Sequence, residues 1–320
     1  MKTSSISIIL CCYNSELKLF RTLEHLAKQE VRENIMWEVI VVDNASNDNT
    51  KEVAYAIWRE LDVAVPLIVV SELTPGLVNA RIRGVKTANY EYLLFCDDDN
   101  WLREDYIQNA VDIMNDNSTI GVLGGQSLLA PHIKAPEWWE EHQGNYAVGK
   151  QLSVTGYANQ RGFVYGAGMV TRKGIAKNVF DPQYPLLLVG RKGNQCLSGE
   201  DWEYCQRTLL LGYNLFYHEN LFYWHDVSAD RLTIEKLSAL LKSFELAEPI
   251  NQRYEYIRKY YSKYYCVNFL NLIKRILIYT FVKKKNKKRK LELLKFQAQV
   301  CGLLEDSEMI HILGWIKAIK

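Results

Sequence analysis

The sequence predicts an α/β fold, an open and mostly parallel sheet of the Rossmann-like kind, followed by a C-terminal helical appendage. Three observations predict it. Short apolar, β-branched runs alternate with longer helical patterns through the first part of the chain, which is the pattern of βαβ units. Polar turns follow the first two runs, at Tyr13-Asn14-Ser15 and at Asp43-Asn44-Ala45-Ser46-Asn47-Asp48-Asn49. The fourth run, Leu93-Leu94-Phe95-Cys96, ends in Asp97-Asp98-Asp99-Asn100.

Taken in order, strands are expected over Ile6–Cys11, Glu38–Val42, Leu67–Val70 and Tyr92–Phe95. Helices are expected between them over Leu17–Gln29, Thr50–Leu61 and Val78–Thr87, each with apolar residues at three- and four-residue spacing. In an open parallel sheet the ligand site lies beyond the carboxyl ends of the strands, so the polar turns and the Asp cluster converge on one crevice. From about Gly121 to Asp226 the pattern is less regular, with Gly, Trp and Tyr spread through it, and acceptor contacts are expected there. Beyond Thr233 glycines become sparse and helical periodicity returns, which places a boundary near Asp230. The expected organisation is a domain over 1–230 and a helical, basic region over 231–320.

Composition narrows the class. A chain of 320 residues, 48% hydrophobic and 24% charged, is ordinary for a globular protein and long enough to bury a sizeable core. A formal charge of +2 does not point to a nucleic-acid partner. The seven cysteines form no CxxC pair and show no zinc spacing, which reads as reduced thiols in a cytosolic protein. No cleavable signal of the usual length and flanks is visible, so the expected location is cytoplasmic, peripheral on the inner membrane face.

Three adjacent carboxylates are costly to gather unless a cation neutralises them. Asp97-Asp98-Asp99 therefore suits a hard divalent ion, Mg2+ or Mn2+, shared with a substrate diphosphate. A solvated acidic turn is the other reading. If the strand ran that far, Asp97 and Asp99 would share a face.

Read together, Cys12-Tyr13-Asn14, Val41-Val42-Asp43-Asn44-Ala45-Ser46, Gly76-Leu77-Val78-Asn79-Ala80-Arg81, Asp97-Asp98-Asp99 and Gly199-Glu200-Asp201-Trp202 resemble the family 2 glycosyltransferases of the GT-A fold. The likeness covers roughly the first 230 residues. It implies a nucleotide-sugar donor, a divalent metal and inversion at the anomeric carbon. It places Tyr13, Asp43, Asn44, Arg81, Asp97 and Asp98 with the nucleotide-sugar, a UDP-sugar being favoured, and Asp99 on the metal. An Asx-turn in which Asp43, Asn44 or Ser46 caps the next helix is the other reading. Arg81 sits early in a helix after Pro75-Gly76, where a guanidinium suits an anion, but Ile82 stands where the family motif usually has asparagine.

Glu200-Asp201-Trp202 opens a helical stretch, where carboxylates are also simply favourable at a helix start. The resemblance makes Asp201 the general base that deprotonates the acceptor hydroxyl, with Glu200 supporting it and Trp202 contacting the acceptor. His225, in Tyr223-Trp224-His225-Asp226, resembles an element that completes the metal shell in some relatives, and Arg231 is a further candidate for the diphosphate. Trp101, Trp138 and Trp139 read either as sugar-stacking or as core residues. Gly166-Ala167-Gly168-Met169 resembles the family's small-residue loop beneath the acceptor, and also reads as a closely packed strand.

From Tyr254 to Val282 the chain is rich in Tyr, Ile, Leu and Phe, interrupted by Lys274 and Arg275, and Lys283-Lys284-Lys285-Asn286-Lys287-Lys288-Arg289-Lys290 follows. This suits an amphipathic helix lying in an anionic membrane interface, while a solvated basic face is the alternative. The expected function is inverting sugar transfer to a carbohydrate or lipid-linked acceptor. A nucleotidyltransferase is disfavoured because Cys11-Cys12-Tyr13-Asn14 lacks phosphate-loop glycines. A noncatalytic sugar-nucleotide-binding protein is disfavoured because both the Asp cluster and Asp201 are present.

Overall fold

The computed structural model describes residues 4–192, 195–281 and 306–319. The first half builds β1 (Ser4–Cys12), α1 (Leu19–Ala27), β2 (Ile35–Asn44), α2 (Thr50–Glu60), β3 (Leu67–Glu72), α3 (Leu77–Thr87), β4 (Tyr92–Asp97), β5 (Asn100–Leu102) and α4 (Tyr106–Asp116). It continues through β6 (Ile120–Leu129), α5 (Trp139–His142), β7 (Gly156–Tyr157), β8 (Met169–Arg172), α6 (Lys173–Val179), β9 (Gly190–Lys192) and β10 (Gln195–Leu197). The last part is α7 (Glu200–Leu210), β11 (Asn214–His225), α8 (Ile234–Phe281) and α9 (Ser307–Ala318). The four expected strands are present, each extended at one or both ends. The first helix is shorter than its apolar pattern, because Ser15 O accepts from the amides of Lys18 and Leu19 and closes a turn ahead of it.

The main sheet has the order β3-β2-β1-β4-β8-β6-β11-β5, with β7 joined to β11. From β3 to β4 every pairing is parallel, while β8 runs antiparallel to both β4 and β6. The sheet is therefore parallel in its first half and mixed in its second. Helices α4 and α7 lead into β6 and β11, which run the same way as β4, whereas the long and mostly irregular stretch between β6 and β8 returns the chain antiparallel.

The alternation of strand side chains sorts the core. In β1, Ile6, Ile8, Leu10 and Cys12 pack with Leu19, Leu23 and Leu26 of α1 and Ala54 and Ile57 of α2. Ile9 and Cys11 face the other layer, with Val78, Ala80 and Val85 of α3. Gly84 allows α3 to lie directly on β1, since a Cβ there would collide with the Ile9 side chain. Register then aligns the strand ends: Cys12 pairs Asp43, and Cys11 pairs Asp97. His225, at the end of β11, pairs Asn100. Because β11 runs the same way as β4, these ends share one edge of the sheet.

The chain after Asp230 shares a core with α7. Ala247, Ile250, Tyr254 and Ile257 of α8 and Met309, Ile312, Trp315 and Ile316 of α9 cluster with Leu188, and Trp202 and Leu210 of α7 pack against them. At its centre Arg207 is fully buried. It meets Glu203 at 3.1 Å, donates to Tyr254 Oη at 2.9 Å, and donates to the carbonyls of Val179, Tyr184 and Pro185. Tyr254 and the Leu188 amide in turn donate to Glu203, at 2.6 and 2.7 Å. Among the described residues no helix is long and apolar enough to cross a membrane. The basic run Lys283–Lys290 lies outside the described residues, as does Val282.

A buried ion pair stripped of one partner leaves an uncompensated charge, which costs roughly 3–5 kcal/mol. Glu203→Leu is expected to lower unfolding free energy by about that amount in urea denaturation followed by circular dichroism; a change under ~1 kcal/mol would contradict the burial of Arg207.

Candidate active site

Strand β4 ends at Asp97, the chain turns at Asp98-Asp99, and β5 begins at Asn100. The strand does not carry Asp97 and Asp99 onto a common face as the sequence allowed, and the turn sends the three carboxylates in different directions. Buried Asn100 shapes that turn: its Oδ1 accepts from the Asp97 amide and its Nδ2 donates to Asp99 Oδ1, both at 3.1 Å.

Asp98 turns toward α1. Its Oδ2 accepts from Ser15 Oγ and pairs with Lys18 Nζ at 2.9 Å, while its carbonyl accepts from Thr22 Oγ1. Burial and the neighbouring Asp99 push its carboxyl up to about 6, against the pull of Lys18 and Ser15. Asp99 turns toward β11, where its Oδ2 lies 3.5 Å from His225 Nε2 and 3.2 Å from Arg231 Nη1. Burial acts to raise the Asp99 carboxyl, but His225, Arg231 and Lys18 outweigh it and hold the group below the usual carboxylate range. Asp97 lies 3.9 Å from Arg81, and burial raises its carboxyl against that guanidinium.

The β2 turn divides its labour. Asp43 is half-buried, and its Oδ1 closes an Asx-turn by accepting from the Ser46 amide at 3.3 Å. Asp48, further along, accepts from the Thr50 amide that opens α2. Asn44 is buried, and its amide donates to the carbonyls of Glu72 and Thr74 while its oxygen accepts from the Gly76 amide at 2.8 Å. Asn44 thus holds the loop that launches α3. Tyr13 is half exposed. The next residue, Asn14, takes φ +50° and bonds across to Ser46 and Asn47, which ties the β1 and β2 turns together.

Arg81 is buried in the first turns of α3. Its guanidinium lies 3.9 Å from Asp97 and 3.8 Å from Glu200, and 5.3 Å over the Phe95 ring. Neither ion pair is at hydrogen-bond distance, and Nε is buried with no partner among the described residues. Such a guanidinium retains donors for an anion.

Asp201 stands in the first turn of α7. Its Oδ2 accepts from the Gly166 amide at 3.0 Å and its Oδ1 from the Trp202 amide at 2.7 Å. Burial pushes its carboxyl up, and Arg81 and these amides pull it down. Gly166 is what lets the groups meet: a Cβ there would come within 2.9 Å of both Arg81 Nη2 and the Asp201 Cβ. The segment leading to it runs along α7, with Cys205 against the Val164 carbonyl and Gln206 donating to the Gly162 carbonyl at 2.7 Å. The small-residue stretch is thus a loop up to Gly168, with strand β8 starting at Met169.

The tryptophans are mostly engaged elsewhere. Trp202 packs edge-on against Tyr254 at 5.9 Å. Trp101 is stacked between His25 and His132, at 5.7 and 5.5 Å, so both of its faces are covered. Trp138 and Trp139 cluster with Tyr146. Sequence reasoning missed Asn100, Ser15, Lys18 and the bond from Gly166. The capping-type residue after the Asp run was the only signal for Asn100; the others are contacts between segments far apart in the chain.

Strand ends bearing a turned acidic cluster, a buried arginine and a helix-borne carboxylate thus meet in one crevice, and the chain belongs to glycosyl transferase family 2, whose model matches residues 7–180. That match stops short of α7, β11 and therefore Asp201 and His225. Similar relatives include the poly-beta-1,6-N-acetyl-D-glucosamine synthase of Staphylococcus epidermidis, 29% identical over 128 residues, which is 40% of this chain and 30% of that one. Another is the poly(ribitol-phosphate) beta-N-acetylglucosaminyltransferase TarS of Staphylococcus aureus, 29% identical over 111 residues, covering 35% of this chain and 19% of TarS. The chain thus spans about a third or less of these curated relatives. The crystal structure of S. aureus TarS 1–349 in complex with UDP-GlcNAc superposes with a TM-score of 0.53 at 19% identity, over 73% of this chain and 61% of that one. That likeness is one of fold: α/β of the GT-A type.

Overpacking a close contact costs roughly 1–3 kcal/mol. Gly166→Ala is expected to lose about that much in urea denaturation, whereas Gly144→Ala, whose added methyl would stand 3.5 Å from Tyr165 Oη, is expected to stay within ~0.5 kcal/mol. Equal effects would contradict the contact among Gly166, Arg81 and Asp201.

Proposed function

We propose that the chain is an inverting glycosyltransferase that moves a sugar from a nucleotide donor, a UDP-sugar, onto a hydroxyl of a carbohydrate or lipid-linked acceptor in cell-surface glycan synthesis. The observation that carries this reading is the division of the crevice. Asp99 and His225 stand together on one side, Asp201 stands on α7 on the other, and Arg81 lies between Asp97 and Glu200. One acidic centre suits a leaving group and the other suits an incoming nucleophile.

In the proposed step Asp201 accepts the proton of the acceptor hydroxyl through a carboxylate already positioned by two backbone amides. The acceptor oxygen bonds to the anomeric carbon as the bond from that carbon to the diphosphate oxygen breaks, so the nucleoside diphosphate leaves with the electron pair. Attack opposite the leaving group inverts the centre. Arg81, whose Nε has no partner among the described residues, offers its guanidinium to the diphosphate. Tyr13 and Asp43 border the nucleoside end at the β1 and β2 turns, Asp98 secures α1, and Glu200 helps balance Arg81. Trp202 packs against Tyr254 and supports the base from behind.

The carboxylate and imidazole of Asp99 and His225 suit Mn2+ or Mg2+, and two protein ligands completed by phosphate oxygens and water are how such ions bind beside nucleotides. Among the described residues no group of three or more His, Cys, Asp or Glu is arranged to hold a metal. When bound, the ion supplies charge neutralisation to the departing diphosphate. Arg231 already serves the same carboxylate oxygen and would share that task.

Thermal unfolding with a panel of UDP-sugars, with and without Mn2+, tests the reading, because a ligand bound only to the native state raises the midpoint. A metal-dependent rise with at least one donor is expected; none with any nucleotide overturns the proposal. Asp201→Asn is expected to lower turnover by about 100-fold or more while keeping the donor-induced shift. In the wild type the base must be ionised, so kcat/KM falls as pH drops through the raised Asp201 value. The acid limb should therefore lie above 3.8, the ordinary carboxyl value.

We also place the protein peripherally on the cytoplasmic face of the membrane, on the strength of the tyrosine-rich α8 and the basic run after it. Co-flotation with vesicles containing anionic lipid, lost at high salt, is expected; equal flotation with neutral vesicles would contradict it.

A further inference from the structure

We infer that the acceptor is an anionic saccharide, one whose phosphate or carboxylate is bound by Arg161 and Lys150 in a pocket beside Asp201. The inference deepens the glycosyltransferase reading and rests on it for the word acceptor. The pocket has a volume of about 400 Å³ and is lined chiefly by Gln143, Asn145, Lys150, Arg161, Phe163 and Tyr165. That is ample for a sugar unit. No carboxylate lines it, and both charged lining residues are cations.

Arg161 is held as a binding group. Its guanidinium lies 4.2 Å over Phe163 and 5.4 Å over Tyr165, so two aromatic rings fix its plane. Its Nη1 donates to the Gln151 carbonyl at 3.0 Å, and its Nε is buried with no partner among the described residues. No acidic side chain pairs with it at ion-pair distance among the described residues. A guanidinium placed this way suits a planar or tetrahedral oxyanion. Lys150 is 3.5 Å from Glu219, an exposed pairing that an incoming anion can replace at little cost. Gln143 and Asn145 offer amides to hydroxyl groups, and the rings of Phe163 and Tyr165 offer apolar faces.

The pocket is joined to the chemistry through the backbone. The Tyr165 amide donates to Gln151 Oε1 at 2.8 Å, and the very next amide, that of Gly166, donates to Asp201. Tyr165 thus joins the wall of the pocket to the loop residue that holds the proposed base. The cations proposed for the donor diphosphate, Arg81 and Arg231, do not line this pocket.

The test compares matched neutral and charged probes by saturation-transfer NMR on the full chain: methyl glucoside against methyl glucuronide, and glycerol against glycerol 1-phosphate. At least one charged probe is expected to bind about tenfold tighter than its neutral partner, the scale of one charged hydrogen bond. The pair that shows the preference tells carboxylate from phosphate. Arg161→Gln is expected to abolish the preference, Arg161→Lys to retain part of it, and Lys150→Gln, an exposed change that leaves folding intact, to reduce it. Equal binding within both pairs, or a preference that survives in both Gln variants, overturns the inference. UDP binding is recorded on the same samples. Loss of UDP binding alone counts against the glycosyltransferase reading, whereas retained UDP binding without an anion preference counts against the pocket.

Discussion

A buried positive charge organises the crevice. Arg81 is carried into the interior by α3, where a guanidinium is stable only if carboxylates balance it. Asp97 comes from the end of β4 and Glu200 from the start of α7, elements more than a hundred residues apart. Their pairings are long, near 4 Å, so the balance is Coulombic and leaves hydrogen-bonding capacity on the arginine. The same charge moderates Asp201, whose burial alone would raise its carboxyl further. One cation thus couples the acidic turn after β4 to the start of α7.

The helix bearing Asp201 is fixed from behind by the C-terminal helices. Glu203 and Arg207 follow Asp201 along α7, and Tyr254 of α8 closes their network while Trp315 of α9 lies 4.9 Å under the Arg207 guanidinium. Every polar group there has a partner, which makes the network rigid rather than merely buried. In front, the loop from Gly162 to Gly166 is stitched to the same helix at Gln206, Cys205 and Asp201. Asp201 is therefore held between the C-terminal helices behind it and the loop from Gly162 to Gly166 in front. The region after Asp230 serves the site even though no described residue beyond Arg231 approaches the Asp cluster.

Much of the fold was legible in the chain. The period of apolar residues located the first four strands and the helices between them, because both faces of those strands are buried and each tolerates little but aliphatic side chains. Strands β6 and β11 were not foreseen, because glycines interrupt the first and polar residues at an irregular register interrupt the second, and β8 was reached only as one reading of the stretch Gly166–Met169. Likewise the pair Glu203 and Arg207 reads as an ordinary exposed i,i+4 pair until α8 covers it.

The sequence by itself determined which residues could reach the crevice. Parallel strands must end on one edge, so Tyr13, Asp43 and Asp97 were bound to meet there, and a carboxylate on α7 could be named from its motif. Only the tertiary structure decided what each one does on arrival. Asp98 serves Lys18 and Ser15, Asn44 serves the loop before α3, and Trp101 is covered by two histidines, whereas Asp99 turns to His225 and Arg231. The reason is geometric. Alternation dictates side-chain direction only while the strand lasts; past Asp97 direction follows the turn that Asn100 holds, and partners come from segments whose proximity no local pattern encodes.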